Sequence, residues 1–298
     1  MGVRFGQPNT ADYDVSGMSS RDMLRLEREI AAKHLGKFPW GSLLWGALNL
    51  LVWLSLWPAV LVFGLSPFVA FPVAVANVAL CYLPSHEAQH SIYAKPGERL
   101  RWLNELVGHL STIPLAIPYS ALKATHMEHH KHCNDPELDP DYGIHCDTTL
   151  QVFRRALRLR DPRGGMSERY RDTLKRIGRE DAARDHAAFE VIHFGILFAL
   201  ALSGFAVEAA LLWWLPRQLG AFYILYYLSW APHNPQLQKG RYKDTRASKS
   251  WGGNISSLGM QAHIVHHLYP RIPLFRTPAA YREMRPLLEA RGATLHDH

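Results

Sequence analysis

The stretch Thr125-His126-Met127-Glu128-His129-His130-Lys131-His132 carries four imidazoles within eight residues. In a helix, residues three and four positions apart lie on one stripe, so His126, His129 and His130 point in the same direction. Imidazole is the side chain that most often binds a metal in proteins. The spacing therefore predicts a helix with a face of metal ligands.

Two other parts of the chain repeat this spacing. A lone histidine pair at i and i+4 arises often by chance, and its ordinary interpretation is a surface or core histidine. Three such clusters, separated by long apolar runs, are much harder to explain in that way. In chain order we name them the first (His86, His90), second (His126, His129, His130) and third (His263, His266, His267) histidine clusters.

The apolar residues of the 298-residue chain lie mainly in two blocks, at about 40–83 and 189–231. The mean hydropathy of −0.13 hides this division, because the charged residues lie almost entirely outside the two blocks. Such segregation is typical of an integral membrane protein rather than of a soluble core.

Each apolar block is too long for one membrane span. The first is interrupted at Gly64-Leu65-Ser66-Pro67 and the second at Leu215-Pro216-Arg217-Gln218, so each block predicts a hairpin of two helices. About 20 residues of helix cross the hydrocarbon core. The predicted transmembrane helices are 41–63, 67–84, 190–214 and 219–232.

The basic residues predict the orientation. Of 33 Lys and Arg residues, 6 lie in segment 1–39, 16 in segment 85–188 and 10 in segment 233–298, and only Arg217 lies in a predicted hairpin connection. Positive loops face the cytoplasm. Because all three histidine clusters lie on that side, we expect one assembled site at the cytoplasmic face.

The predicted fold class is an all-α, multi-pass integral membrane protein with four transmembrane helices in two hairpins, under a cytosolic helical cap that carries the histidine clusters. We treat 1–298 as a single domain. Its parts are a cytosolic N-terminal segment (1–39), a first hairpin (40–84), a cytosolic or interfacial cap (85–188), a second hairpin (189–232) and a cytosolic tail (233–298).

Three shorter segments are predicted to lie at the bilayer surface. Segment 21–35 is an amphipathic helix with Ser19 or Ser20 as its N-cap. Segment 106–122 holds two prolines and is short for a span, so a re-entrant or interfacial segment is expected. Segment 148–160 predicts a basic amphipathic helix.

Charge and cysteine content narrow the class of partner. The net charge is +7 and no nucleic-acid motif is present. Nucleic acid is therefore not an expected partner, whereas anionic lipid head groups are expected partners.

Cys81, Cys133 and Cys146 form no CxxC pair. They are expected to be free thiols facing a reducing compartment.

Eight clustered histidines exceed the ligands that one transition-metal ion accepts, so two ions with about four histidines each are expected. A structural zinc site would usually include cysteine, whereas an iron pair that handles oxygen keeps positions open. His233, where the second hairpin re-enters the cytosol, is a ninth candidate. His109 and His132 are candidates for supporting roles, and Glu87, Glu128, Asp135 and Asp141 are candidates for orienting ligand imidazoles.

HEAQH at 86–90, HMEHH at 126–130 and HIVHH at 263–267 resemble the three histidine boxes of the membrane fatty acid desaturase superfamily. The resemblance covers about 81–285. Within it, 125–142, 230–235 and 263–273 are similar to bacterial beta-carotene hydroxylases, although Glu87 and Asn234 depart from the carotenoid pattern. The resemblance implies two iron ions bound by His86, His90, His126, His129, His130, His233, His263, His266 and His267.

This resemblance implies an oxidoreductase that uses O2 on an unactivated C–H bond of a lipid. Carotenoid ring hydroxylation is the preferred expectation, and fatty acyl or lipid desaturation is the alternative. No catalytic residue beyond the metal ligands is predicted. A histidine-rich metal transporter is the alternative from another class, but transport ligands usually lie within the spans.

Electrons are expected from a separate donor. The chain shows neither a nucleotide-binding fingerprint nor a fused haem domain. A ferredoxin, or a cytochrome with its reductase, would therefore reduce the irons.

Overall fold

The computed structural model describes residues 14–158, 166–235, 238–249 and 257–297, so part of the predicted N-terminal segment lies outside it. The described chain is mostly helical. Its helices are α1 Ser20–His34, α2 Trp40–Leu61, α3 Pro67–Gln89, α4 Arg101–Ser111, α5 Tyr119–His132, α6 Thr149–Leu157, α7 Met166–Arg176, α8 Glu180–Leu200, α9 Ala206–Ala209, α10 Leu215–Ile224, α11 Ala231–His233, α12 His263–Leu268 and α13 Thr277–Ala290.

Three apolar helical stretches of the described chain are long enough to cross a membrane: Trp40–Leu61, Pro67–Gln89 and Glu180–His233. α2 and α3 follow the prediction for the first block, and they are joined by a pair of buried asparagines. Asn77 Nδ2 donates to Asn49 Oδ1 at 2.8 Å, and Asn49 Nδ2 donates to the Asn77 carbonyl at 3.0 Å. The number of membrane crossings stays a prediction.

The second apolar block bends at a different residue from the predicted one. The chain remains helical through Pro216, whereas Gly204 has a φ of 91°, a conformation that glycine adopts without steric strain. The His193 and Trp213 ring centroids are 4.4 Å apart, but twenty residues of straight helix would separate them by about 30 Å. The chain therefore doubles back at Gly204, and the predicted break at 215–218 is wrong.

Pro216 is compatible with a helix here because it lies in the first turn of α10, after a π-helical stretch, Ala210–Trp214. Where the helix passes from π-helical to α-helical hydrogen bonding, the pairing of donors and acceptors is already interrupted, so a residue without an N–H is tolerated. The sequence signal at Pro216 was therefore genuine, but it marked a change of helix type rather than a chain reversal.

Arg217 also differs from its prediction. It was placed in the connection of the second predicted hairpin, but it is buried on α10 with 3% of its surface exposed. Its Nε donates to the Leu115 carbonyl at 2.6 Å, and Trp213 Nε1 donates to the Pro114 carbonyl at 3.0 Å. These carbonyls lie between α4 and α5, where two prolines interrupt the predicted re-entrant or interfacial segment 106–122. Irregular backbone beside apolar helices requires such donors.

Two of the predicted surface segments are helical where the structure describes them, as α1 and α6, and residues 159–160 lie outside the described residues. Their position at the bilayer surface stays a prediction. α1 begins after Ser19, whose hydroxyl accepts a hydrogen bond from the Asp22 N–H at 3.2 Å. The buried carboxylate of Glu27 on α1 accepts hydrogen bonds from Arg241 at 2.8 Å and Tyr269 at 2.7 Å. α1 is thereby attached to the segments on either side of the third histidine cluster.

The fold departs from all-α in one respect. β1 (Arg246–Lys249) pairs in parallel with β2 (Thr294–Asp297). Each strand is only four residues long, and neither shows a clear alternation of apolar and polar residues. Nothing in the local sequence predicts this pair, because it depends on contacts across almost fifty residues.

Candidate metal centre

The nine predicted histidines come together in one place. The first cluster ends α3, the second lies on α5, the third lies on α12, and His233 ends α11. Six of the nine are buried: His86, His90, His129, His233, His263 and His266. Separate helix ends therefore meet at one interior site, as expected from their common side of the apolar blocks.

One group of possible ligand atoms comes from His86, His90, His126 and His266. All four atoms lie within 4.8 Å of one another. His90 Nε2 is 2.8 Å from His126 Nε2, and His130 Nε2 is 3.1 Å from His126 Nε2 and 3.0 Å from His266 Nε2. This convergence of ring nitrogens is suited to a shared cation.

A second group comes from His129, Cys133, His233 and His267, again with ligand atoms within 4.8 Å of one another. His263 adjoins it, since its Nε2 is 3.1 Å from His267 Nε2. Two adjoining groups of possible ligands are therefore present, and their occupation by two ions stays a prediction.

Cys133 was predicted only as a free thiol, and the structure places it against the site. Its Sγ is 3.5 Å from His233 Nδ1 and 3.7 Å from the Asp244 carbonyl oxygen. Burial raises the pKa of this thiol, so the neutral form is favoured. Its position directly after the second cluster was the signal available in the sequence.

The donor set fits metal binding on two grounds. His233 Nε2 and His263 Nδ1 are buried and have no hydrogen-bond partner in the described chain, a costly state that a coordinated ion would relieve. Metals bind neutral imidazole. Burial, followed by the neighbouring histidines, lowers the pKa values of His90, His126, His130, His263, His266 and His267.

His129 is held differently, by a buried acid. Its Nδ1 is 2.9 Å from Asp139 Oδ1, and Asp139 Oδ2 accepts a hydrogen bond from the Asn134 N–H at 2.8 Å. Burial alone would lower the pKa of His129, but the Asp139 carboxylate outweighs burial and the pKa rises to about 9. At that pKa the ring without an ion is protonated on both nitrogens. An ion at Nε2 would displace the proton there, while Asp139 keeps the proton on Nδ1, the usual carboxylate–histidine–metal arrangement.

Two of the four acids predicted to orient ligands bind elsewhere. Glu87 accepts a hydrogen bond from the Leu274 N–H at 2.5 Å, and Asp135 pairs with Lys239 Nζ at 2.6 Å. Glu87 therefore fixes the chain that follows the third cluster, and Asp135 fixes a surface loop. Neither is hydrogen-bonded to a clustered histidine in the described chain.

The other two acids lie closer to histidines. Glu128 is 3.6 Å from His132 Nε2, and Asp141 is 4.0 Å from His129 Nδ1. The closest acid, Asp139, was missed because Asp139-Pro140-Asp141 has the composition of a turn. It is such a turn, but its first side chain points inward.

Three histidines outside the nine, His109, His132 and His145, lie beside or away from the centre, whereas His186 is buried and lines the adjoining pocket. His109 is exposed on α4 and packs against the Tyr119 ring at 5.0 Å, so it is remote from the centre. His132 follows the second cluster and pairs with Glu128. His145, which the sequence did not single out, has its ring centroid 6.4 Å from that of His233.

A pocket adjoins the histidines; it encloses about 870 Å³ of non-atom space, part of which is open to solvent. His86, His126, His129 and His263 line one part of it. Most of its remaining wall is apolar and includes Leu115, Ile117, Leu122, Ile224, Leu225, Leu228 and Met260. A long apolar ligand in this space would lie against the metal centre.

A sequence model described as fatty acid desaturase matches residues 51–298. This chain belongs to the fatty acid desaturase family. The match includes all nine histidines, and the family indicates an oxidoreductase.

Curated relatives agree with this family. An sn-1 oleoyl-lipid 12-desaturase of Anabaena variabilis is 34% identical over 86 residues, covering 28% of this chain and 23% of the relative. An sn-1 acyl-lipid omega-3 desaturase (ferredoxin) of Nostoc sp. is 31% identical over 61 residues, covering 20% and 16%. An sn-1 oleoyl-lipid 12-desaturase of Picosynechococcus sp. is 21% identical over 233 residues, covering 68% and 65%.

In each of these alignments the chain spans less than two thirds of the relative's own length. All three relatives are named as acyl-lipid desaturases. The comparisons therefore support the desaturase alternative better than the preferred expectation of carotenoid hydroxylation, which they do not show.

Proposed function

We propose that this protein is an O2-dependent di-iron oxidase that desaturates an acyl chain of a membrane lipid. The observation that carries the proposal is the mainly apolar cavity whose lining includes four of the clustered histidines. A hydrocarbon chain in that cavity has no polar group to activate it, so its reaction requires a strong oxidant held nearby. The acyl-lipid desaturase names of the relatives favour desaturation over hydroxylation.

The nine histidines are proposed as ligands of two irons. His86, His90, His126 and His266 form the first set, and His129, His233 and His267 contribute to the second. His130 and His263 lie between or beside these sets. When bound, reduced iron supplies the activation of O2 that removes hydrogen from a C–H bond.

The protein's own residues position the reactants. Asp139 keeps the Nδ1 proton on His129 and fixes its ring. Leu122, Ile224 and Leu228 surround the hydrocarbon and exclude water, which protects a reactive centre from side reactions. These residues position the reactants only, and no residue other than the metal ligands is assigned to the chemical step.

The proposed location is an integral membrane protein with its centre at the cytoplasmic face. The three apolar stretches and the distribution of Lys and Arg support this orientation. A soluble ferredoxin is the proposed electron donor, since the Nostoc relative is named with ferredoxin. A cytochrome with its reductase is the alternative donor.

The test is lipid and pigment extraction from bacteria that express the protein, beside an empty vector and the His129→Ala variant. One set of cells also produces beta-carotene. We expect a new double bond in membrane acyl chains with the wild-type protein only. If the acyl chains are unchanged and the carotenoids become more polar, the protein is a carotenoid hydroxylase rather than a desaturase. Unchanged lipids and pigments with altered metal uptake would favour a transporter.

A further inference from the structure

Arg217 lines the same apolar cavity, although it lies on α10 between the Gly204 bend and His233. Only 3% of its surface is exposed. An ionisable side chain buried within an apolar membrane stretch is expensive, and by default it indicates a functional site. The iron chemistry proposed above gives this residue no role.

The guanidinium group has more donors than the protein uses. It carries five N–H groups, and Nε donates to the Leu115 carbonyl at 2.6 Å. Among the described residues this is its one hydrogen bond, and no carboxylate of that part of the chain forms an ion pair with it. The terminal nitrogens are therefore available to a ligand in the cavity.

Supporting the Leu115 carbonyl does not by itself require an arginine. Trp213, one turn earlier, supports the neighbouring Pro114 carbonyl with a single neutral donor at 3.0 Å. A structural role at Leu115 needs no more than that. The charge and the additional donors of Arg217 remain to be explained, because burying them without an acceptor is unfavourable.

Arg217 and the histidines lie at different ends of the cavity. Leu228, which also lines it, lies eleven residues further along the chain, in the π-helical segment Leu225–Trp230 that continues α10, up to about 16 Å away at 1.5 Å per residue. His233 follows about one turn later. A chain that reached Arg217 would therefore place a carbon well along its length against the metal centre.

We propose that the substrate presents an acceptor oxygen to the guanidinium of Arg217, and that the position of C–H attack is counted from this oxygen. The inference rests on the proposed function. A methyl end at this place would remove water from the guanidinium and offer no acceptor, which is unfavourable for a buried charged donor. A carboxylate, carbonyl or hydroxyl would form charge-assisted hydrogen bonds.

Binding is tested first, without turnover. Purified protein is first loaded with a fluorescent fatty acid. An alkane, an alcohol and a carboxylic acid of equal chain length then compete for the site, and the affinity of each is obtained from the displacement. The wild-type protein should bind the oxygenated compounds at least tenfold more tightly than the alkane. Arg217→Met should lose this difference, whereas Trp213→Phe, which removes the neighbouring carbonyl support outside the cavity, should keep it. Equal binding of all three compounds by the wild-type protein would overturn the proposal.

Product position is tested second, in cells supplied with ordinary acyl chains of two lengths or with the same chains bearing a terminal hydroxyl. If Arg217 binds the ester or carboxyl oxygen, ordinary chains react at a fixed distance from that end. If it binds a terminal oxygen, the hydroxylated chains react better and at a fixed distance from the hydroxyl. In Arg217→Met the position of attack should no longer be fixed relative to either oxygen. The same result is expected for Arg217→Gln, which keeps a donor for the Leu115 carbonyl.

The outcomes separate the two proposals. If both Arg217 variants form the double bond at the same position as the wild-type protein, the role of Arg217 is overturned and the desaturase proposal stands. Absence of any oxidised lipid, together with Arg217-dependent binding of oxygenated compounds, would overturn desaturation and leave the binding site standing.

Discussion

At the residue scale, the clearest feature is the chain of contacts from Asn134 through Asp139 to His129. The Asn134 N–H fixes one carboxylate oxygen, and the other oxygen lies 2.9 Å from His129 Nδ1. The carboxylate is 1% exposed, so water does not weaken this contact. The orientation of His129 is therefore set before any ion binds.

Replacing His129 with alanine should leave less than about a tenth of the wild-type activity, since changes in groups that merely support a ligand already cost 10–100-fold. Membrane insertion should change little, because His129 lies outside the apolar stretches. Product formation is measured at equal amounts of membrane-inserted protein. Greater retention of activity would remove His129 from the ligand set.

Asp139→Asn should lower activity and iron affinity about 10–100-fold. An amide that donates to Nδ1 would favour the proton on Nε2, which then cannot bind metal. Asp135→Asn is the matched control, because Asp135 lies in the same loop but pairs with Lys239. Equal losses in the two variants would indicate that loop structure, rather than the His129 contact, is responsible.

At the element scale, the packing of α3 against α10 brings the first histidine cluster and the cavity wall together. Gly220 makes this possible. A Cβ atom there would lie 2.6 Å from Val78 Cγ1 and 2.9 Å from the Ala79 backbone nitrogen. Since the backbone atom belongs to a helix, it cannot move away as a flexible side chain would.

Gly220→Ala should therefore destabilise the protein by about 1–3 kcal/mol and lower activity by shifting α3. Gly195→Ala is the control, because a Cβ there meets nothing within 4 Å. In a helix that substitution is expected to be neutral or stabilising by up to about 1 kcal/mol. Thermal unfolding in detergent compares the two variants, and similar melting temperatures would contradict the α3–α10 packing.

At the scale of the whole molecule, the centre is proposed to hold two irons per chain. Metal analysis of anaerobically purified protein should give a ratio near two. Chelation should lower the melting temperature, because bound metal stabilises only the folded state and its removal leaves buried ring nitrogens unsatisfied. One zinc per chain without iron would contradict the di-iron assignment.

The four-span topology makes a separate prediction. In a chain whose three cysteines are serine, Phe63→Cys and Leu202→Cys should be labelled by an impermeant maleimide from outside the cell. Both positions are exposed beside the Gly64 and Gly204 turns. Glu98→Cys, in the proposed cytosolic cap, should be labelled only after permeabilisation. Protection of Leu202→Cys would mean that the chain does not cross the membrane at Gly204.

Much of the centre could be predicted from sequence because its information is local. The i, i+3 and i+4 spacing puts His126, His129 and His130 on one helix face whatever surrounds it. The apolar blocks and the basic segments place the clusters on one side of a membrane, and their convergence follows from that common side. His233 was found in the same way, from its position after the last apolar run.

The remaining features depend on contacts between distant segments. Pro216 predicted a chain reversal, but the reversal occurs at Gly204. The helix is continuous at Pro216, and the positive φ of Gly204 together with the packing of His193 on Trp213 reveals the bend. Asp139 was indistinguishable from other loop acids until the fold turned it toward His129. Arg217 resembled a loop cation, and tertiary packing placed it against the cavity, where charge and burial together give it a role.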